Sequence, residues 1–448
     1  MQTPIYSLKA CMRLVNKTTF SRFTVLVAWL LGCCLQLSAQ ENSPYSRYGL
    51  GDQVPNGNII NRAMGGVSIA YFDPFSINYT NPATYSKFRR TTFDLGFEVD
   101  YRTLREPNNP GKFTASSANV SYVQLGIPLV REKAKWGVNF GLRPVTRVSY
   151  KIQTAERLNL QINDSLQTLY EGTGGAYDVY VGTGFALKNF SVGVNLAYSF
   201  GTKDYSTRKS FLNDSVLYYQ SNHQTKSTFG GFTFQGGALY SAKLSEQTYL
   251  NLGVSGQLER TLNANRDFIR ETFEYDANGA IFRIDSVYQE NNISGKITYP
   301  SSFSAGFMVV KGAEWAFGAD YTSTQWSKYQ FFGEKDPLQN SWQFKLGGQL
   351  TPNPIRGRNY WSRITYRAGL FYGKDYIKAD TDLPIFGVTA GLGLPMRLNP
   401  YTNQSTLINT AFEIGRRGND DNKIRENFFR ISVGLSLSDL WFRKIEYD

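Results

Sequence analysis

Phe93-Asp94-Leu95-Gly96-Phe97-Glu98-Val99-Asp100-Tyr101-Arg102 alternates apolar and polar positions without a break. A period of two sends successive side chains to opposite faces of a strand. Phe93, Leu95, Phe97, Val99 and Tyr101 share one face; Asp94, Gly96, Glu98, Asp100 and Arg102 share the other. Trp136–Arg143 and Phe429–Ser438 repeat the pattern. A soluble sandwich turns such apolar faces into a core. A membrane barrel turns them to lipid and encloses the polar faces. One strand does not separate these two folds, but the connections between strands do.

Fourteen segments read as strands: 92–103, 116–130, 134–152, 175–188, 190–202, 225–244, 247–263, 300–310, 314–328, 339–352, 360–375, 384–395, 405–417 and 424–440. Tight turns at Arg131-Glu132-Lys133, Asn189, Ser245-Glu246 and Gly312-Ala313 alternate with long polar loops at 153–174, 203–224 and 264–299. Short turns on one side and long loops on the other, with an even strand number, describe an outer-membrane barrel. Lipid offers no partner for a bare strand edge, so such a sheet must close on itself. The expected fold is therefore all-β, a transmembrane antiparallel barrel of about 14 strands over residues 91–448.

Residues 41–90 lack this alternation and carry the turn pairs Ser43-Pro44, Val54-Pro55, Asp73-Pro74 and Asn81-Pro82. They read as a small N-terminal plug, or hatch, tucked inside the barrel. Residues 1–40 read as a signal peptide: Lys9, Arg13, Lys17 and Arg22, an apolar run from Phe23 to Leu31, then Ser38-Ala39-Gln40. Leu30-Leu31-Gly32-Cys33 leaves lipoprotein cleavage as the alternative. Export follows from either, and with the barrel pattern the expected location is the cell outer membrane.

Loss of the signal would remove all three cysteines and leave 44 basic against 36 acidic residues, a balance of +8. A chain without thiols has neither disulfides nor thiolate metal sites. Its charges are scattered, which argues against nucleic-acid binding. The one histidine, His223, lies in an expected surface loop and lacks the supporting constellation of a Ser-His-Asp site. No enzyme activity, cofactor or metal is expected.

Asp94, Glu98, Asp100 and Arg102 are either lumen and plug contacts or ordinary wet-face residues. Arg143 and Arg147 flank Pro144, whose missing N–H calls for a bulge or a free edge. Arg143 can meet a ligand carboxylate, or pair with Asp94 or Glu98. Gly174-Gly175 and Gly230-Gly231 lack the following helix of a phosphate site and read as close backbone approaches. The loop Arg416–Asn422 reads as a hairpin turn. The loop aromatics Tyr170, Tyr218, Tyr219, Phe331 and Phe332 are either first contacts for an oily molecule or membrane-interface aromatics.

Two stretches carry a family resemblance. Asn61-Arg62-Ala63-Met64-Gly65-Gly66, Asp73 and Ile77-Asn78-Tyr79-Thr80-Asn81-Pro82-Ala83 form the first. Tyr299–Gly306, Trp315, Asp320-Tyr321 and Trp326-Ser327 form the second. Together they resemble the FadL-type (OMPP1/FadL/TodX) outer-membrane transporters of hydrophobic compounds. Glu171–Gly175 and Ser438–Lys444 look closer to a less characterised subgroup. The resemblance implies a 14-stranded barrel, a lumenal hatch and lateral release through a gap in the wall, with Asn81, Pro82 and Ala83 at the gate. It implies passive transport of hydrophobic compounds such as long-chain fatty acids, with outer-membrane lipid as the other partner. The same barrel family includes a shuttle of a protein-secretion system, so secretion proteins are the alternative partners. Fold follows from such a likeness more safely than cargo.

Overall fold

The computed structural model describes residues 43–439 apart from 108–110, 131–133, 158–164, 213–218, 277–280, 355–358, 380 and 397–403. The segment 1–40 expected as a signal peptide, the turn at 131–133, Tyr218 and the end of the chain from 440 lie outside the described residues.

Fourteen strands form the wall: β1 Thr91–Arg105, β2 Lys112–Val130, β3 Ala134–Arg157, β4 Ser165–Leu187, β5 Phe190–Phe211, β6 Gln220–Lys243, β7 Thr248–Gln257, β8 Ser302–Lys311, β9 Trp315–Thr324, β10 Ser341–Leu350, β11 Thr365–Ala379, β12 Thr381–Met396, β13 Ser405–Arg417 and β14 Arg425–Asp439. Each pairs antiparallel with its neighbours, and β14 pairs with β1 from Arg425↔Arg105 to Asp439↔Thr91. The barrel is closed.

The alternation read from Phe93–Arg102 sets the two faces. Asp94, Glu98, Asp100 and Arg102 are buried inside, while Phe97 is 49% exposed outside. Phe232, Val388 and Ile414 belong to the same outer apolar band. A closed sheet with an oily exterior satisfies its ladder hydrogen bonds without water, as a bilayer requires, except where β2 and β3 part. Among the described residues no helix is long and apolar enough to cross a membrane.

Three expected loops are strands. Residues 153–157 continue β3, 165–174 continue β4, and 203–211 continue β5. The strands β3 to β6 thus run 22 to 24 residues, twice the roughly 9–11 that span a bilayer. The third loop is an outer hairpin, Arg260–Tyr275 with Ile281–Tyr299. Its first strand pairs with the upper half of β6, and its second is exposed throughout Ile281–Asn292. Beyond the bilayer both faces meet water, so the apolar period disappears although the ladder continues. The segment expected at 247–263 is accordingly split between β7 and this hairpin. The segment expected at 314–328 ends as β9, with a 3₁₀ turn at Trp326–Lys328, and that expected at 360–375 begins with one at Tyr360–Arg363.

Residues 43–90 lie against inward-facing side chains around the ring. A short helix, α1 (Ile59–Ala63), contacts β11 to β14, and a 3₁₀ turn, Pro82–Lys87, contacts β2 to β6. Asn58 caps α1 by accepting from the Asn61 N–H at 2.9 Å. Asn81 caps the second turn, accepting from the Ala83 N–H at 3.1 Å.

Candidate functional site

The wall parts between β2 and β3. Between β2 and β3 the register runs only from Val130↔Trp136 to Val123↔Leu142. Beyond it, each strand follows its other neighbour. Two bulges drive the divergence. Ser121 is the extra residue where β2 meets β1, and Val145 the extra residue where β3 meets β4. A bulge bends its strand, and Pro144, next to Val145, has no N–H to hold a partner. Of the bulge or edge expected at Pro144, both are found: the bulge at Val145 and the edge that β2 leaves.

The N-terminal segment fills this seam. Asp52 and Gln53 form a two-residue strand on the free edge of β3, opposite Arg147 and Thr146. The Ser43 N–H donates to the Ser149 carbonyl at 3.1 Å, and the Val54 N–H to the Val145 carbonyl at 3.0 Å. Residues 43–54 thus act as a strap along the edge that β2 leaves.

Ion pairs hold the strap to the opposite wall. Asp52 pairs with Arg102 on β1 and, at 2.8 Å, with Arg417 on β13. Ser43 donates to Glu426 at 2.5 Å. Arg62 of α1 pairs with Glu98, which also takes Arg147 at 2.6 Å. Asp100 binds Arg102 at 3.0 Å and Arg430 at 3.1 Å, and Arg430 reaches Glu413 at 2.9 Å. Burial alone would raise the Asp52 carboxyl, but Arg417 and Arg102 overcome it and hold it well below the usual carboxylate range. Such a network keeps buried charges only because every member is paired.

Asp94 stands apart from this network. It accepts from the Ile77 N–H at 3.3 Å and from Ser436 at 3.1 Å. Arg143 pairs with Asp178 at 3.1 Å, rather than with Asp94 or Glu98, and lies 4.8 Å from the Tyr79 ring centroid. Asn81, Pro82 and Ala83 are not brought to the seam. They are buried against β5 and β6, where Asn81 donates to the Ala238 carbonyl at 3.2 Å. Nearby, burial pushes the Tyr85 hydroxyl up to about 12.

An apolar cluster caps the end of the lumen nearest the long hairpins. It joins Tyr45 and Leu50 of the strap to Trp326, Tyr329, Phe331 and Tyr376, with Trp326 and Tyr376 rings 4.7 Å apart. Phe331, read from sequence as a loop contact, is buried here because Gln330–Phe331 pairs with the base of the outer hairpin. Phe332 packs beside it under Arg266, at 4.6 Å. Tyr219 is exposed, and Tyr170 lies on β4 beneath Arg47. His223 lies on β6 opposite Arg270, not in a loop. Gly174 and Gly175 have positive φ and lie against the Thr202 and Thr146 carbonyls, the close approach read from sequence.

Between cap and helix lies a cavity of about 320 Å³. Its wall carries seven basic side chains, Arg62, Arg102, Arg143, Lys345, Lys374, Arg417 and Arg430, and four acidic ones, Asp52, Asp375, Glu413 and Glu426. The strap was invisible in the sequence because its edge pairing uses backbone atoms, which any residue supplies. Only Pro144 signalled the seam.

A family model described as BamG matches residues 21–448. No curated protein matches the sequence. Among solved structures the chain is similar to the P. putida toluene transporter TodX, at 15% identity over 87% of this chain and 100% of that one, with a TM-score of 0.55. A Pseudomonas aeruginosa FadL homologue gives 13% over 88% and 100%, with 0.53. The Ralstonia pickettii toluene transporter TbuX gives 13% over 86% and 99%, with 0.51. The likeness is one of fold, and it is the FadL-type fold to which the sequence motifs pointed.

Proposed function

The chain belongs to the BamG family, and on that footing we propose that it is an outer-membrane barrel through which small hydrophobic molecules cross passively. Residues 43–90 serve as its hatch. Cargo partitions into the apolar cap beneath the outer hairpins, passes the strap and leaves sideways where β2 and β3 part. The observation that carries this reading is the parted wall, closed by a strap rather than by a neighbouring strand. The solved barrels of the same fold include toluene transporters, which supports an oily cargo. Monoaromatic hydrocarbons and long-chain fatty acids are the classes to test. Gating belongs to residues 43–54 rather than to Asn81, Pro82 and Ala83.

The test is a reversible lock. Gln53 and Thr146 face each other across an antiparallel pair, where Cα atoms lie about 4.5–5.5 Å apart, within disulfide range. Oxidised Gln53→Cys/Thr146→Cys should stop uptake of labelled hydrocarbon or fatty acid by whole cells, and reduction should restore it. Uptake that continues through the locked barrel refutes the lateral route.

A second reading, an accessory barrel that handles exported proteins, is favoured by the charged wall of the cavity, which offers oil no continuous apolar lining. Deletion that leaves uptake intact and depletes surface proteins would select it.

A further inference from the structure

Six of the seven basic side chains on the cavity wall are held in ion pairs. Lys345 on β10 has no ion pair among the described residues, and its amine lies over Gly66. Its cross-strand neighbour Asp320 gives one oxygen to the Ser68 and Ile69 N–H groups, at 2.6 and 2.9 Å, and stays beyond ion-pair distance of the lysine. All four acidic side chains of the wall are already paired. Among the described residues the wall therefore presents one basic side chain that no carboxylate contacts directly, with Asp320 and Glu413 acting on it only at longer range.

The strands beside it present hydroxyls and an amide in two cross-strand rows. Ser302, Thr324 and Ser341 form one row across β8, β9 and β10, and Ser304, Thr322 and Gln343 form the next. All six line the cavity, and Lys345 follows Gln343 on the same face of β10. Hydroxyl and amide groups both donate and accept, so two rows of them match a ligand with several hydroxyls. An ammonium with no direct ion pair beside them matches a single anionic group. The volume falls at the small end of ligand pockets.

We propose that the lumen binds a small polyhydroxylated anion, a sugar or glycerol unit carrying one phosphate, with its anionic group on Lys345. Whether the barrel conducts oily cargo does not affect this site. The same chemistry comes from a free sugar phosphate or from a lipid headgroup.

Calorimetry on the full-length barrel in neutral detergent distinguishes the sources. Probes are glucose 6-phosphate, glycerol 3-phosphate, glucose, inorganic phosphate and micellar lysophosphatidylglycerol. Saturable binding of the soluble sugar or glycerol phosphates, tighter than glucose or inorganic phosphate, supports a free ligand. Binding of the lysolipid alone supports a headgroup at the same site. In either case Lys345→Gln should weaken binding by about tenfold or more, as loss of a charged hydrogen bond implies, and Lys345→Arg should retain it. Ser304→Ala/Thr322→Val, which keeps the charge, should weaken it as well. No saturable binding of any phosphorylated probe, glucose binding as tightly as its phosphate, or affinity unchanged in folded Lys345→Gln overturns the proposal.

Discussion

Arg147 on β3 reaches Glu98 on β1 at 2.6 Å, across the strand that separates them in the wall order. This contact exists because β2 bends away at Ser121 and leaves the inner path open. Glu98 also holds Arg62, so one carboxylate fixes both the seam and α1. Glu98→Gln would leave two buried guanidiniums without their anion. Removing one partner of a buried ion pair costs about 3–5 kcal/mol. Unfolding in denaturant, read by the gel mobility of the folded barrel, should show a loss of that size. A loss under about 1 kcal/mol, the range of a surface pair, would remove Glu98 as the keystone.

Acid should release the strap only at low pH. The Asp52 carboxyl titrates lower when folded than when unfolded, so the folded chain binds fewer protons. Its stabilisation is complete above the ordinary aspartate range near pH 4 and fades as pH falls through the folded value. Hydrogen exchange of the amides at 51–54 should stay slow from pH 7 to about 4, after correction for intrinsic rates, and quicken below. Asp52→Asn should exchange quickly at pH 7 and respond little to acid. The same acid response in Asp52→Asn as in the native chain would assign the transition elsewhere.

Gly369 on β11 has backbone of the N-terminal segment where a side chain would stand. A Cβ there would lie 2.2 Å from Gly65 N and Met64 C. Gly369→Val should cost at least about 1–3 kcal/mol by overpacking and should expose residues near Arg47 to trypsin. Gly236→Ala, with nothing within 4 Å of the new carbon, should stay within about 0.5 kcal/mol of native.

Phe331→Ala should destabilise by about 3 kcal/mol, the lower end for a buried phenylalanine, because it empties part of the cap. Phe282→Ser and Val287→Ser, at side chains 66% and 70% exposed on the outer hairpin, should each change stability by less than about 0.5 kcal/mol. Equal effects at Phe331 and Phe282 would mean that the cap is not packed in solution.

The wall was largely legible because alternation is a local signal. Phe93–Arg102 and Phe429–Ser438 show their two faces one residue at a time. The outer hairpin escaped because water on both sides of Ile281–Asn292 removes the contrast that marks a strand. Asp94, Glu98, Asp100 and Arg102 could be placed on the inner face, but not their partners. Arg417 lies 365 residues from Asp52 in sequence, and ring closure alone makes them neighbours. Lys345 carried no signal, since what distinguishes it is the direct ion pair it lacks among the described residues.

Backbone of residues 64–82 rests directly on bare wall positions at Gly193, Gly347 and Gly369, where an added carbon would lie 2.1–2.4 Å from it. So tight a seat on opposite arcs of the ring leaves no clearance for threading. The expected order of assembly is therefore an enclosure that forms around an occupant already in position, with pairing of β14 to β1 as its last step. Refolding should be sensitive to order: a wall folded first, with residues 41–90 added afterwards as a peptide, should remain empty.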